Sequence, residues 1–203
     1  WSAKWKGGKH ITKGMPDYGD EFDDKAVTQA LWELLNEADV VVGHNIAKFD
    51  LKKFNTRAII HGLKPFEPAS VVDTLKLARA KFAFPSNRLD ALAEILGLER
   101  KAQTGGYELW ERCEQGDPQA WRKMKAYCKQ DVVVLEQVYN KLATYATNHP
   151  NLPALQERTG CHVCGSTHVQ RRGWTPTPTG ARRRLQCIDC SHWMTGEHKK
   201  TER

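Results

Sequence analysis

The sequence predicts an α/β domain over residues 1–150, followed by a small metal-stabilised module over residues 151–203. Up to residue 150, short apolar runs alternate with stretches in which apolar residues recur every three or four positions. This alternation favours a mixed, largely buried sheet flanked by helices. Beyond residue 150 the composition shifts to Cys, Arg, Gly and Thr, and four cysteines stand in two closely spaced pairs.

Composition and charge exclude several classes of protein. Hydrophobic residues make up 40% of the 203 positions and charged residues 27%, a balance that excludes pervasive disorder. No apolar run approaches the ~18–20 residues of a membrane span, and no signal peptide opens the sequence, so we expect no membrane partner and a cytoplasmic location. The net charge of +7 is concentrated in residues 151–203, which hold 9 basic and 4 acidic side chains. That excess suits nucleic acid, although it also suits a solvated surface.

Short strands are expected at four places. Residues 1–11 predict two strands around a turn at Gly7 and Gly8. The runs at 39–43 (D-V-V-V-G) and 70–73 (S-V-V-D) are short and apolar, which is typical of buried strands. These strands are few for such a sheet, so we expect its first strand to lie outside this chain, on the N-terminal side.

Helices are expected between and after the strands. The clearest helix start is Asp117-Pro118, because an Asp side chain accepts the free N–H groups of a first turn and Pro needs no bond there. Gly62 and Gly97 mark two helix ends. The expected helices cover residues 24–37, 49–61, 74–81, 89–96, 107–113 and 118–147.

The first motif with chemical potential is G-H-N-I-A-K-F-D, residues 43–50, where an apolar strand meets a helix. Active-site residues of α/β proteins are common at such a junction. The Asp50 carboxylate could bind Mg²⁺, since hard cations prefer oxygen ligands. It could equally be an acid in the first turn of a helix that interacts only with the helix dipole.

The second motif is Y-C-K-Q-D, residues 127–131, followed by three valines. Tyr127 and Asp131 are four residues apart and therefore share a helix face. A carboxylate beside an apolar stretch is costly unless it is paired or binds a metal. A partly exposed Tyr–Asp pair is the alternative.

Together the two motifs resemble the DEDD (DnaQ-like) 3′–5′ exonucleases, a family with an RNase H-like fold. Asn45, Phe49 and Asp50 match its N-x-x-x-F-D motif, and Tyr127 and Asp131 match the Y-x-x-x-D motif of its tyrosine subclass. Residues 71–78 and 87–98 are also similar to the proofreading domains of family-B DNA polymerases. The resemblance covers roughly residues 1–147.

The resemblance implies hydrolysis of the 3′-terminal phosphodiester with two Mg²⁺ or Mn²⁺ ions. Asp131 would be a metal ligand, Asp50 would serve the second ion, and Tyr127 would orient the attacking water. Three further side chains would line the site and contact the terminal nucleotide: His44, Asn45 and Phe49. Of these, Phe49 would mainly pack.

The family's first motif, D-x-E on an apolar strand, has no match before residue 40. The acidic residues between 17 and 24 are better explained as solvated loop and helix-start charges. We therefore expect D-x-E to lie outside this chain, and these 203 residues alone to have little or no exonuclease activity. A non-catalytic nucleic-acid-binding or partner-binding module of a replication or repair assembly is the alternative. A structure-selective endonuclease fits the motif spacings less well.

The four paired cysteines predict a structural zinc site. Two C-x-x-C pairs separated by 22 residues suit knuckle turns that direct four thiolates to one Zn²⁺ ion, and disulfides are the alternative. Two hairpin arms are expected at 169–172 and 182–186, which resembles a zinc ribbon. His162 and His192 are expected near the ion or exposed. The predicted ligands are Cys161, Cys164, Cys187 and Cys190.

Arginines on the expected hairpin predict contact with nucleic acid, with DNA favoured over RNA. Trp174 and Trp193 lie close by in sequence and could stack on bases. Contact with a protein, including replication or repair proteins, and a merely solubilising surface are the alternatives. The arginines concerned are Arg171, Arg172, Arg182, Arg183 and Arg184.

Overall fold

A computed structural model of the chain describes residues 1–19, 23–66, 70–99 and 106–200. Its architecture is mixed α/β, as the sequence predicts. The chain divides into two compact units, Trp1–Arg79 with Ala83–Tyr139, and Ala80–Phe82 with the chain from Asn140 onward. The domain boundary that the sequence places at residue 150 stays a prediction.

The first unit contains two pairs of short strands. Strands β1 (Ser2–Lys4) and β2 (His10–Thr12) pair antiparallel. Strands β3 (Val40–Gly43) and β4 (Ser70–Asp73) pair in parallel, and their last residues stand opposite each other. All four lie where the sequence predicts them.

The predicted single mixed sheet is not observed in the described part of the chain. The strands form two separate two-stranded sheets, because β1 pairs with β2 and β3 with β4.

Six helices in the described ranges follow the predicted ones closely. The last begins as predicted, because Asp117 Oδ1 accepts the backbone N–H of Gln119 at 2.7 Å and of Ala120 at 3.3 Å. It ends five residues early, where a 3₁₀ turn at Ala143–Tyr145 replaces the last predicted α-helical turn. The helices are α1 (Lys25–Asn36), α2 (Asp50–Ile60), α3 (Thr74–Lys81), α4 (Leu89–Ile95), α5 (Glu108–Glu114) and α6 (Pro118–Leu142). None of the described helices combines the length and apolar character of a membrane span.

Two apolar clusters hold the helices of the first unit. Between α1 and α2, the buried Leu35 packs with Phe54 and Ala58, and Val41 of β3 joins them. Between α5 and α6, the buried residues are Leu109, Cys113, Ala120 and Met124. These contacts hold the middle and end of α2 and the first half of α6, the two helices that carry Asp50 and Asp131.

The second unit is a three-stranded antiparallel sheet preceded by a 3₁₀ helix at Leu152–Gln156. Its strands are β5 (Val169–Thr177), β6 (Gly180–Cys187) and β7 (Trp193–Lys200), in that order. The two predicted hairpin arms correspond to parts of β5 and β6. Strand β7 was not predicted, because its sequence W-M-T-G-E-H-K-K lacks an apolar alternation.

Candidate functional site

The first motif forms a tight turn between β3 and α2. The backbone oxygen of Asn45 accepts the N–H of Phe49 at 3.0 Å, and Asn45 itself adopts a left-handed φ of 61°. A Cβ atom added to Gly43 would lie 2.5 Å from the Cβ of Ile46, so this turn needs glycine at the strand end. The turn places Asp50 at the first position of α2.

Asp73 anchors this turn from the neighbouring strand. Its Oδ1 accepts the backbone N–H of Asn45 at 2.9 Å and of Leu75 at 3.0 Å, so it also caps the start of α3. The side chain is buried, and its Oδ2 accepts no hydrogen bond from the described residues. No motif includes Asp73, although S-V-V-D ends an apolar strand just as V-V-V-G does.

Both ring nitrogens of His44 contact neighbouring residues. Nε2 donates to the carbonyl oxygen of Asn87 at 3.0 Å, since a carbonyl can only accept, and Nδ1 lies 2.9 Å from Thr74 Oγ1. The ring is therefore held in one orientation between α3 and the start of α4. Its predicted contact with a nucleotide stays a prediction.

The pKa of Asp50 is raised above its ordinary value. Partial burial is the main cause, and the negative charge of Asp73 adds to it, while the Asp50 backbone N–H, Lys53 and His44 act in the opposite direction. Solvent nevertheless reaches part of the Asp50 side chain. The carboxylates of Asp50 and Asp73 are therefore close enough for their charges to influence each other.

Phe49 is more exposed than expected. The expectation that it mainly packs is wrong, because 52% of its surface is accessible to solvent. Its nearest charged neighbour is Lys53, whose Nζ lies 4.7 Å from the ring centroid. An exposed ring beside Asp50 is available for stacking.

The second motif lies in the middle of α6. Tyr127 packs against the apolar cluster between α5 and α6, and this contact restricts its ring. Asp131 is half-buried one helical turn later, next to the half-buried Val132 and three residues before the fully buried Val134. Its predicted convergence with Asp50 on shared cations stays a prediction.

A cavity of about 500 Å³ adjoins Asp50 in the first unit. One side is formed by Phe54 and Arg57 of α2, and another by Met124 and Cys128 of α6. Asp50 therefore faces the same space as a segment of α6 that ends three residues before Asp131.

The four cysteines of the second unit meet at one point. Sulfur atoms of Cys161 and Cys190 lie 3.5 Å apart, those of Cys164 and Cys187 lie 3.6 Å apart, and all four are within 4.8 Å of one another. Ligands ~2.3 Å from a tetrahedral zinc ion are separated by about 3.8 Å, so the cluster fits such an ion. None of these cysteines forms a disulfide in the described chain.

Backbone hydrogen bonds shape both cysteine pairs. The N–H of Gly165 donates to the Cys161 carbonyl at 2.8 Å, and the N–H of Cys187 donates to the His192 carbonyl at 2.9 Å. His192 is buried, and its Nδ1 donates to the carbonyl of Thr144 at 3.0 Å. His192 therefore ties the second pair to the turn that follows α6, rather than being exposed.

The five arginines do not form one group. Arg183 stacks on Trp174, with 3.9 Å between the guanidinium carbon and the ring centroid, and Arg184 stacks on Trp193 at 4.5 Å. Arg172 donates to Gln186 Oε1 at 3.0 Å. The other two, Arg171 and Arg182, have exposed side chains.

A second acidic group consists of Asp23, Asp24 and His61. The positive charge that it holds is the guanidinium group of Arg57. Arg57 donates from Nε to Asp24 Oδ2 and from Nη2 to Asp24 Oδ1, each at 2.5 Å. His61 Nε2 lies 2.6 Å from Asp24 Oδ1. This network links the start of α1 to the end of α2. Asp17, another acid of this region, pairs with Lys125 of α6, and Asp20 and Glu21 lie outside the described residues.

The comparison with protein families agrees with this fold. A family model described as the RNase_H superfamily matches residues 6–143, which include both motifs and exclude the cysteine cluster. No curated protein matches the chain. Since the match spans more than half of the sequence and supports a nuclease-type fold, the chain belongs to the RNase H superfamily.

Proposed function

We propose that the protein is a metal-dependent 3′–5′ exonuclease of the tyrosine DEDD type, whose second unit is a zinc ribbon that helps to hold nucleic acid. The observation that carries the proposal is Asp50 at the start of α2, beside the buried Asp73 and facing a cavity shared with α6. The superfamily match supports a nuclease, and the finer assignment rests on the N-x-x-x-F-D and Y-x-x-x-D motifs.

In this mechanism Asp50 and Asp131 would hold Mg²⁺ or Mn²⁺, and the ions would supply an activated water and positive charge for the leaving 3′ oxygen. The oxygen donors of these side chains suit such hard cations. Asp73 fixes the turn that carries Asp50. The negative charge of Asp73 also lies near the Asp50 carboxylate, and a bound metal ion would relieve the repulsion between the two. Tyr127 orients the attacking water, and its packing on α5 limits its motion.

The remaining residues of the first motif position the substrate. Asn45 and the exposed Phe49 contact the terminal nucleotide, Phe49 through its ring. His44 supports that turn through Thr74 and Asn87. The raised pKa of Asp50 implies that protons compete with the metal, so activity increases with pH through that pKa.

The test is digestion of 5′-labelled single-stranded DNA by the full-length protein with Mg²⁺ or Mn²⁺. We expect stepwise shortening from the 3′ end and a loss of at least ~100-fold in Asp131→Asn and in Asp50→Asn. Asp39→Asn, an exposed acid before β3, is the matched control and should remain active. Absence of degradation, or an Asp131→Asn variant as active as wild type, would contradict the proposal.

The second candidate is a non-catalytic binding module. It is favoured by the lack of a D-x-E motif on an apolar strand before residue 40. It predicts that the full-length protein binds DNA or RNA without degrading either, and that Asp50→Asn and Asp131→Asn leave this binding unchanged.

A further inference from the structure

The two faces of the three-stranded sheet differ in charge. Residues opposite each other in antiparallel strands project to the same face. Arg182 stands opposite Thr175 of β5 and His198 of β7, and Arg184 stands opposite Thr195. We call this side the arginine face; its members are Gln170, Thr175, Arg182, Arg184, Gln186, Trp193, Thr195 and His198.

The arginine face is open and contains no acidic member. Arg182, Arg184 and Trp193 are all exposed, with 43% of the tryptophan accessible to solvent. Arg172 reaches the same side from the bulge in β5 by donating to Gln186. Three guanidinium groups therefore lie on the face that carries the exposed indole ring of Trp193.

The opposite face is covered or neutralised over much of its area. At one end Leu185 stands beside the buried Cys187 and opposite the buried Met194. Farther along, Arg183 lies between the ring of Trp174 and the carboxylate of Glu197, whose Oε1 is 3.4 Å away. Only 22% of the Arg183 side chain is exposed. Its charge is thus already balanced within the sheet.

We propose that the arginine face binds a single strand of nucleic acid, with phosphates at Arg172, Arg182 and Arg184 and an unpaired base stacked on Trp193. The proposal rests on the proposed function of the chain as an enzyme acting on nucleic acid. Stacking on an exposed aromatic ring requires a base that is not covered by its neighbours in a duplex. Arg184 already stacks over one face of Trp193, so a phosphate donor lies directly beside the ring on which the base would stack.

This face favours nucleic acid over an acidic peptide. An acidic peptide would use the guanidinium groups, but the side chains of Asp and Glu carry no aromatic ring that could stack on the indole. The five arginines predicted to contact nucleic acid do not share one face of the sheet. Arg171 and Arg183 project to the side opposite the arginine face.

The experiment measures fluorescence anisotropy of a labelled oligothymidylate with the zinc-loaded chain, without added Mg²⁺ or chelator. The double variant Arg182→Ala/Arg184→Ala should weaken binding about tenfold and reduce the slope of log K against log salt by roughly 1.4, for two lost phosphate contacts. The control Arg171→Ala/Arg183→Ala removes the same charge from the other face and should bind nearly as wild type. Equal loss in both double variants, or none in the first, would overturn the proposal.

Trp193 and two competitors test the nature of the ligand. Trp193→Leu should weaken binding of the oligonucleotide, whereas Trp193→Phe should retain most of it. A DNA duplex that binds as tightly as the single strand, or polyglutamate that competes as well as oligothymidylate, would overturn the assignment. Circular dichroism and zinc content verify that each variant is folded.

These measurements are independent of hydrolysis. A protein that lacks exonuclease activity but binds the oligonucleotide as expected would contradict the proposed function. It would not contradict the binding role of the arginine face. An active nuclease whose arginine-face variants bind normally would contradict only the present inference.

Discussion

Asp73 accepts a hydrogen bond from the backbone N–H of Asn45 at 2.9 Å, and this bond joins the ends of two parallel strands. The same oxygen caps α3 through Leu75. One buried carboxylate therefore determines both the shape of the turn before Asp50 and the electrostatic surroundings of Asp50. The site depends on tertiary pairing as much as on its motifs.

Replacing Asp73 should change the titration of Asp50. Asp73→Asn keeps an oxygen for the two backbone N–H groups but removes the charge that raises the pKa of Asp50, so that pKa should fall. Carboxyl ¹³C shifts of labelled aspartates, followed against pH, report this directly. Asp39→Asn serves as control, and an Asp50 titration that is identical in Asp73→Asn would disprove the coupling.

The link between Asp24, Arg57 and His61 should depend on pH. The hydrogen bond from Arg57 is the main cause of a lowered Asp24 pKa, and His61 adds to it. A group whose pKa is lower in the folded state stabilises the fold above its unfolded pKa, and this contribution disappears as pH falls through the folded value. Because the Asp24 side chain is partly exposed, Asp24→Asn should lower the free energy of unfolding by only about 1 kcal/mol at pH 7. In strong acid, where Asp24 is protonated, the substitution should have no effect.

Urea unfolding of both proteins between neutral pH and pH 2 measures this difference. An Asp24→Asn penalty that is constant across the range would show that the carboxylate charge contributes nothing.

Removal of the metal should unfold the second unit alone. The cysteine cluster joins the end of β6 to the turn before β5, and small modules of this kind depend on the metal for stability. Cys187→Ser should lose the bound zinc and the dispersed amide signals of residues 161–200, while those of residues 23–66 persist. Cys128→Ser, a thiol outside the cluster, is the control. A sheet that stays ordered after complete loss of zinc would contradict the assignment.

The sequence predicts local features well. The helix start at Asp117 follows from capping chemistry that involves only the next three residues, and the structure confirms it. Strands β3 and β4 follow from short apolar runs, but the expected burial holds only for their last residues, Gly43 and Asp73, and Val71 is exposed. The cysteine cluster follows from spacing, because each pair needs only one turn to bring two sulfurs together.

Features that depend on distant pairing were not predicted. The role of Asp73 arises from the parallel register of β3 and β4, whose partners are 30 residues apart in sequence. Strand β7 has no apolar alternation and is defined by its pairing with β6. Arg183 lies on the other face of the sheet from Arg182 and Arg184 because side chains alternate along β6. This can be stated only when the bounds of β6 and the bulges in its pairing are known.

The central claim, that Asp50 and Asp131 bind shared cations, is tested most directly by Mn²⁺ titration of the zinc-loaded full-length protein, with electron paramagnetic resonance measuring free Mn²⁺. The account predicts that Asp50→Asn and Asp131→Asn each weaken Mn²⁺ binding by about tenfold or more, whereas Asp39→Asn has no effect. Unchanged Mn²⁺ affinity in either variant of the pair would contradict it.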